Sequence, residues 1–298
     1  MVLWLFRVST AVARRLPRRL LEFLVETLTL RLGFFLHPMR RGIILSNYRR
    51  ILEKSGQDSS PERAKAVLRE TIPLYSRLLI SMLARPEDEE FARTRVDMKF
   101  LPLLEEALRE GNGAILTLSN FGAFAHLLMA LWLRGIQTRI PILDRRTVAG
   151  LPHGWGRQFT SLDRSSWGCL DALAENKVVV QLTMVSFLPR RMAFELFGAP
   201  ARLTYAPAKL AAASGAPLIP LFAVREEGRC SAVSDGMIRV ARGPGEVRRA
   251  TEELSRVQER YISRYPAQWH VYEDFWDLRW MDLNYAFVKR ALNLFGDR

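Results

Sequence analysis

The spacing of apolar and polar positions changes partway along this 298-residue chain. Up to about residue 95 it is helical. Val67, Leu68, Ile72, Tyr75, Leu78, Leu79 and Met82 fall three and four residues apart, which predicts an amphipathic helix ending before Pro86. Its start reads at Ser60-Pro61, where serine can cap free amides and proline gives up no hydrogen bond at the first helical position. Pro73 is expected to kink it. Residues 1–50 also read as helices, broken near Pro17 and again near His37-Pro38, and Glu87 to Glu90 reads as an acidic, solvated turn. From about residue 96, short apolar runs alternate with helical segments. Ala114 to Leu118, Thr138 to Leu143, Lys177 to Leu182 and Leu218 to Val224 read as strands, and Val178-Val179-Val180 suits a strand covered on both faces. Pro102 to Glu110, Gly122 to Leu133, Ser165 to Glu175 and Ala206 to Ser214 read as the intervening helices, with a long one over Val247 to Arg264. Arg229 to Val233 and Met237 to Ala241 look like a terminal hairpin across Asp235-Gly236. The expected fold class is therefore α/β, a mostly parallel central sheet flanked by helices, with an N-terminal basic amphipathic helical region. The expected division is 1–95 and 96–298, forming one structural unit.

Composition narrows the chemistry. With 49% apolar residues the chain can bury a full core. Cys169 and Cys230 are too few for a disulfide framework and read as small buried hydrophobes. His37, His126, His153 and His270 are scattered without metal-ligand spacing, so neither a metal nor a bound cofactor is expected. The net charge of +13 is concentrated at the start: residues 1–50 carry ten arginines against Glu22 and Glu26. Leucines and phenylalanines interleave with these arginines, as in amphipathic helices lying at an anionic membrane surface, with Arg14, Arg15, Arg18 and Arg19 facing it. No uncharged run approaches the roughly 18 residues needed to span a bilayer. Arginine pairs interrupt any signal-peptide core. Nucleic acid is disfavoured as a partner, because no lysine- or glycine-rich tract and no helix-turn-helix, zinc-finger or aromatic-platform signature accompanies the charge.

Several stretches, in order, resemble the bacterial lipid A biosynthesis lauroyl/myristoyl acyltransferases of the lysophospholipid acyltransferase superfamily. They are Arg40-Arg41 through Asn47-Tyr48-Arg49; Leu104-Glu105-Glu106-Ala107-Leu108 with Gly111-Asn112-Gly113; Phe194-Glu195-Leu196-Phe197-Gly198-Ala199-Pro200; Ala206-Pro207-Ala208-Lys209; Gly215-Ala216-Pro217; and Tyr265-Pro266-Ala267-Gln268-Trp269. The resemblance covers most of the chain. It implies transfer of a fatty acyl group from an acyl carrier protein or coenzyme A thioester to a lipid or glycan hydroxyl. It also implies a peripheral location on the cytoplasmic face of the bacterial inner membrane, with acyl carrier protein and a lipid or glycolipid acceptor as partners. Phe121, Gly122, Phe197, Gly198 and Pro200 are the substrate-binding positions it implies. Arg157 and Arg164 are candidates for a phosphate or phosphopantetheine group, although exposed solvated arginines fit them equally.

The chemistry implied needs a base to take the proton of the attacking hydroxyl, and an acid to orient that base. The family's motif is His-x-x-x-x-Asp/Glu. Here it aligns as Asn120-Phe121-Gly122-Ala123-Phe124-Ala125, so Asn120 stands at the histidine position and Ala125 at the acid. An amide has no usable basicity near neutral pH. His126 is the weak alternative, rotated roughly 120° from Asn120 on a regular helix; Ser119 would need a base the sequence does not show. Thr183-Met184-Val185-Ser186 replaces an acidic cluster typical of the family, and Glu273-Asp274-Phe275 replaces a basic triplet. Two readings follow: an acyltransferase with a degenerate motif, or a non-catalytic lipid- or acyl-binding homologue.

Overall fold

A computed structural model describes residues 12–142, 158–161, 165–183 and 191–277. Helix α1 (Arg18–Phe23) follows Pro17 and runs through a π-helical segment (Leu24–Arg31) into α2 (Leu32–Leu36). The chain breaks at His37 and restarts with α3 (Pro38–Lys54), Pro38 occupying a position where its missing N–H costs nothing. In α4 (Pro61–Ser81) the Ser60 hydroxyl accepts from Arg63 N at 3.2 Å, the expected cap, and Pro73 lies inside one continuous helix. The acidic turn expected at Glu87 to Glu90 is instead helix α5 (Pro86–Thr94). Proline at its first turn and Asp88, whose carboxylate takes the Arg85 N–H at 3.2 Å, start a helix there.

Next come β1 (Val96–Asp97), α6 (Leu101–Arg109), β2 (Ala114–Leu118), α7 (Phe124–Leu133), β3 (Thr138–Ile142), β4 (Phe159–Ser161), α8 (Ser165–Ala174) and β5 (Val178–Leu182). After them lie β6 (Arg191–Leu196), β7 (Ala199–Thr204), α9 (Ala206–Ser214), β8 (Leu218–Pro220), β9 (Phe222–Glu226), β10 (Arg229–Val233), α10 (Glu246–Arg264) and a 3-10 turn (Pro266–Gln268). Among the described residues the central sheet has five strands in the order β4-β3-β5-β2-β8, every neighbouring pair parallel. Alternate residues of β2 and β5 bury opposite faces. Leu116, Leu118, Val178 and Val180 pack with α6 and α7, while Ile115 and Val179 join α8, α9 and α10. Val178, Val179 and Val180 are all buried, as a doubly covered strand requires. Cys169 and Cys230 are buried, and burial pushes their thiols up to about 11 and about 12.

Two other expectations are corrected. The single strand expected over Leu218 to Val224 is two, β8 on the central sheet and β9 on a second sheet of order β1-β10-β9. Pro220 has no N–H for the ladder, and the chain turns off the edge there. The expected hairpin of Arg229 to Val233 with Met237 to Ala241 does not form. Both edges of β10 are taken, by β9 and β1, so Ile238 instead exchanges backbone bonds of 2.9 and 2.8 Å with Leu218. The β6–β7 hairpin had no counterpart in the sequence pattern.

A buried ionic cluster fastens the N-terminal helices to the sheet. Asp88 is fully buried. It accepts from Arg18 Nη1 at 2.7 Å and faces His126 Nε2 at 3.3 Å, and His126 Nδ1 faces Arg225 Nη2 at 3.3 Å. The Arg225 guanidinium lies 4.5 Å above the Phe91 ring. Burial opposes ionisation of Asp88, yet the His126 hydrogen bond and the Arg18 charge hold its carboxyl below the usual range. Replacing one member of such a cluster strands the rest. Asp88→Ala is expected to cost about 3 kcal/mol or more, read as a lower midpoint in chemical denaturation; an unchanged midpoint would show that the cluster contributes nothing to stability.

Candidate functional site

The end of β2 is held from three sides. The Leu118 carbonyl accepts from Thr183 N at 2.6 Å and from its hydroxyl at 3.0 Å. Beyond it, residues 119–123 form a loop in which the amides of residues 121–123 are already engaged. Phe121 N donates to the Ser119 carbonyl at 2.7 Å, Gly122 N to that of Gln268 at 2.8 Å, and Ala123 N to that of Ala223 at 2.8 Å. In return the Asn120 carbonyl accepts from His270 N at 2.8 Å. Phe121 and Trp269 thus form an antiparallel bridge between the loop and the segment after α10.

Gln268 and Gly122 complete the clamp. Gln268 bonds the Arg225 backbone twice, through Nε2 to its carbonyl and through Oε1 from its N–H, both at 2.9 Å. Gly122 sits at φ +58°, where a Cβ would meet the Ala223 carbonyl oxygen at 1.9 Å, so this position admits no side chain.

The bridge exposes one face of the loop to a cavity of about 770 Å³. Asn120, His270, Val271 and Tyr272 line it on one side; Leu36, Met39 and Ile43 of the α2–α3 helices, with Tyr75 of α4, line it on another. His37, Arg40, Glu273 and Asp274 add polar groups. The Asn120 side chain makes no hydrogen bond to any described residue. With the amides of residues 121–123 engaged, Asn120 Nδ2 is a side-chain donor of the loop that faces the cavity without a partner among the described residues. Asn47 Nδ2 donates to the Glu273 carbonyl at 2.8 Å and so ties α3 to the cavity's C-terminal wall.

Of the positions singled out from the sequence, Asn120, Glu273 and Asp274 line this cavity, and the other described ones lie elsewhere. His126 is locked into the Asp88–Arg225 cluster, and burial first, then the Arg225 charge, hold its pKa below the usual histidine value. Phe121 is buried against Phe222 and Tyr265. Ser119 is buried with its hydroxyl unpartnered among the described residues. Phe197, at φ +50°, packs edge-on against Trp276, and Gly198 borders a separate basic pocket with Arg49, Arg50, Lys54 and Lys65. Pro200 is exposed on β7. Arg157 and Arg164 lie outside the described residues. Among the N-terminal arginines, Arg14 Nε donates to the Leu83 carbonyl at 2.9 Å and Arg18 to Asp88; both are turned toward the fold. Arg15 and Arg19 are exposed.

His270 is the residue that sequence reasoning missed. It is 4% exposed, its Nε2 lies 3.3 Å from the Gly122 carbonyl, and Tyr272 Oη lies 3.5 Å from its Nδ1. Because a carbonyl only accepts, Nε2 carries the hydrogen and Nδ1 is the free base. Its position next to the Gln268-Trp269 pair was the only available sequence signal.

Burial lowers the His270 pKa to about 4. The unfolded chain therefore binds a proton that the folded chain refuses, so stability is full above about pH 6.5 and is lost as pH falls toward 4. From pH 7 to pH 5 this group alone should cost on the order of 2 kcal/mol, with His126 adding in the same direction. Denaturation of wild type and His270→Gln at both pH values should show a smaller loss in the variant; equal losses would contradict a neutral, buried His270.

The family model described as bacterial lipid A biosynthesis acyltransferase matches residues 1–277. No curated protein matches the chain.

Proposed function

Because this chain belongs to the bacterial lipid A biosynthesis acyltransferase family, we propose that it transfers a fatty acyl group from an acyl carrier protein or coenzyme A thioester to the hydroxyl of a lipid or glycolipid. The observation that carries this reading is the Asn120 amide at the end of β2, without a partner among the described residues and facing a cavity whose apolar wall suits an acyl chain. Asn120 then serves as the hydrogen-bond donor to the oxygen on which charge builds as the thioester is attacked. Asn120 and Ala125 stand where we place the family's histidine and acid, so the orienting acid is absent from that loop.

Membrane attachment is the second part of the proposal. The large apolar side chains with high exposure are concentrated in the first forty residues: Val12, Leu20, Phe23, Leu32, Leu36 and Met39, with Met39 82% exposed. Arg15, Arg19, Arg31, Arg40 and Arg41 are exposed among them. No helix among the described residues is long and apolar enough to cross a membrane. Apolar and cationic groups sharing one exposed region suit a peripheral seat on anionic lipid, at the cytoplasmic face of the inner membrane, with residues 1–95 as the attaching part. Leu36, Met39 and Arg40 belong to both this region and the cavity, so an acceptor can enter directly from the lipid.

The missing acid at Ala125, buried at 3% exposure in the apolar core, favours a second reading, that of a non-catalytic acyl-binding homologue. Incubation with labelled acyl carrier protein thioester and membrane lipid extract separates the two. Under the transfer reading, label reaches lipid and Asn120→Ala lowers the rate about 10²–10³-fold; absence of transfer across chain lengths would leave only the binder. For the membrane seat, flotation with phosphatidylglycerol vesicles should carry the wild type and lose it at high salt, and Phe23→Asp should weaken binding. Equal flotation with neutral vesicles would remove the electrostatic part of the proposal.

A further inference from the structure

We propose that His270 supplies the general base that position 120 lacks, from the opposite strand of the loop's own bridge. This inference rests on the acyl-transfer reading above and names the residue that would do its proton chemistry. Backbone register brings the two positions together. An antiparallel bridge at Phe121 and Trp269 makes residues 120 and 270 direct cross-strand partners, whose Cβ atoms lie on the same face, about 4.5–5.5 Å apart. Both line the same cavity. A histidine at 270 therefore reaches the space that a histidine at 120 would serve, approaching it from the other strand.

The surroundings of the ring suit the role. A carboxylate conventionally fixes the tautomer of a catalytic histidine; here the Gly122 carbonyl does so, accepting from Nε2 and leaving Nδ1 unprotonated. Tyr272 Oη faces Nδ1, and burial raises the pKa of that phenol, so it remains a donor. Tyr75 packs against both rings, at 5.4 and 4.4 Å between centroids. The low basicity of buried His270 guarantees the free-base form at neutral pH. Its proton affinity rises only when an oxyanion forms across the pair at Asn120, that is, in the transition state.

The acceptor oxygen attacks the thioester carbonyl carbon while His270 Nδ1 takes its proton, displacing Tyr272 Oη from that nitrogen. Asn120 Nδ2 donates to the tetrahedral oxyanion. Collapse reforms the carbonyl and breaks the C–S bond, and the departing thiolate takes the proton back from Nδ1. An ester and a free thiol result, and the enzyme is unchanged.

His37, exposed on the cavity wall at the α2–α3 break, is the other described histidine lining this space and serves as the control. The test uses full-length protein on phosphatidylglycerol vesicles, palmitoyl and lauroyl coenzyme A as donors, membrane lipid extract as acceptor, and thiol release with labelled lipid as readouts. His270→Gln keeps an amide N–H for the Gly122 carbonyl and has no basic nitrogen; it should fold with near-wild-type thermal stability at neutral pH and lose about 10²–10⁴-fold in transfer rate. His270→Ala should lose as much and regain part of its rate with added imidazole, a recovery that a purely structural histidine would not show. His37→Ala keeps the imidazole at position 270 and should lose far less transfer rate than His270→Gln. Wild-type transfer by folded His270→Gln, or loss by His37→Ala instead, would overturn the base assignment and leave the acyl-transfer reading standing. An inactive wild type with both donors and with palmitoyl and lauroyl acyl carrier protein would overturn both.

Discussion

The short antiparallel contact between residues 119–123 and 268–270 sets the geometry of the candidate site. It consumes the amides of Gly122 and His270, aligns Asn120 with His270, and seats Gly122 so closely on Ala223 that no side chain fits there. A loop after a parallel strand ordinarily has unsatisfied amides that a developing oxyanion can use. Here the backbone N–H groups of residues 121–123 are occupied by the Ser119, Gln268 and Ala223 carbonyls, so the proposed transfer assigns the donor role to a side chain. A loop pinned by its own backbone is also stiff, which fixes the point from which the Asn120 side chain enters the cavity.

That contact depends on elements far apart in sequence. Gln268 reaches it because α10 delivers the chain to the 3-10 turn, and the Gln268 amide then imitates one more rung of sheet by pairing with the Arg225 backbone. Asn47 of α3 holds the Glu273 carbonyl and keeps the wall that follows His270 against the helices. The Gln268-Trp269 pair and the basic stretch near Asn47 thus act together, folding the C-terminal segment over the end of β2.

The second constraint is electrostatic. Asp88 is one carboxylate serving α1, α5 and, through His126, α7 and β9. It holds the N-terminal helices at a fixed distance from the sheet, and their apolar side chains Leu36, Met39 and Ile43 then become a wall of the cavity. Arg18, although part of the basic segment, is spent on this internal fastening, while neighbouring Arg19 remains on the surface. The excess positive charge of the first fifty residues therefore divides between fold and surface, a division that composition does not show.

Much of the architecture was legible in order along the chain. Ala114–Leu118 and Ala206–Ser214 begin and end where their patterns place them, because a doubly buried strand and a helix closed by Gly215 at φ +81° are specified locally. Family membership was legible too, since its blocks are short, ordered motifs. The structure alone decided what depends on pairing between distant segments. The chain passes from one sheet to the other at Pro220, and Asp88 of the acidic stretch is buried where its charge finds partners in Arg18 and His126. His270 lies 150 residues from Asn120 in sequence, and no local periodicity encodes their meeting. Non-local register, which the backbone hydrogen bonds of the folded chain set, brings them face to face.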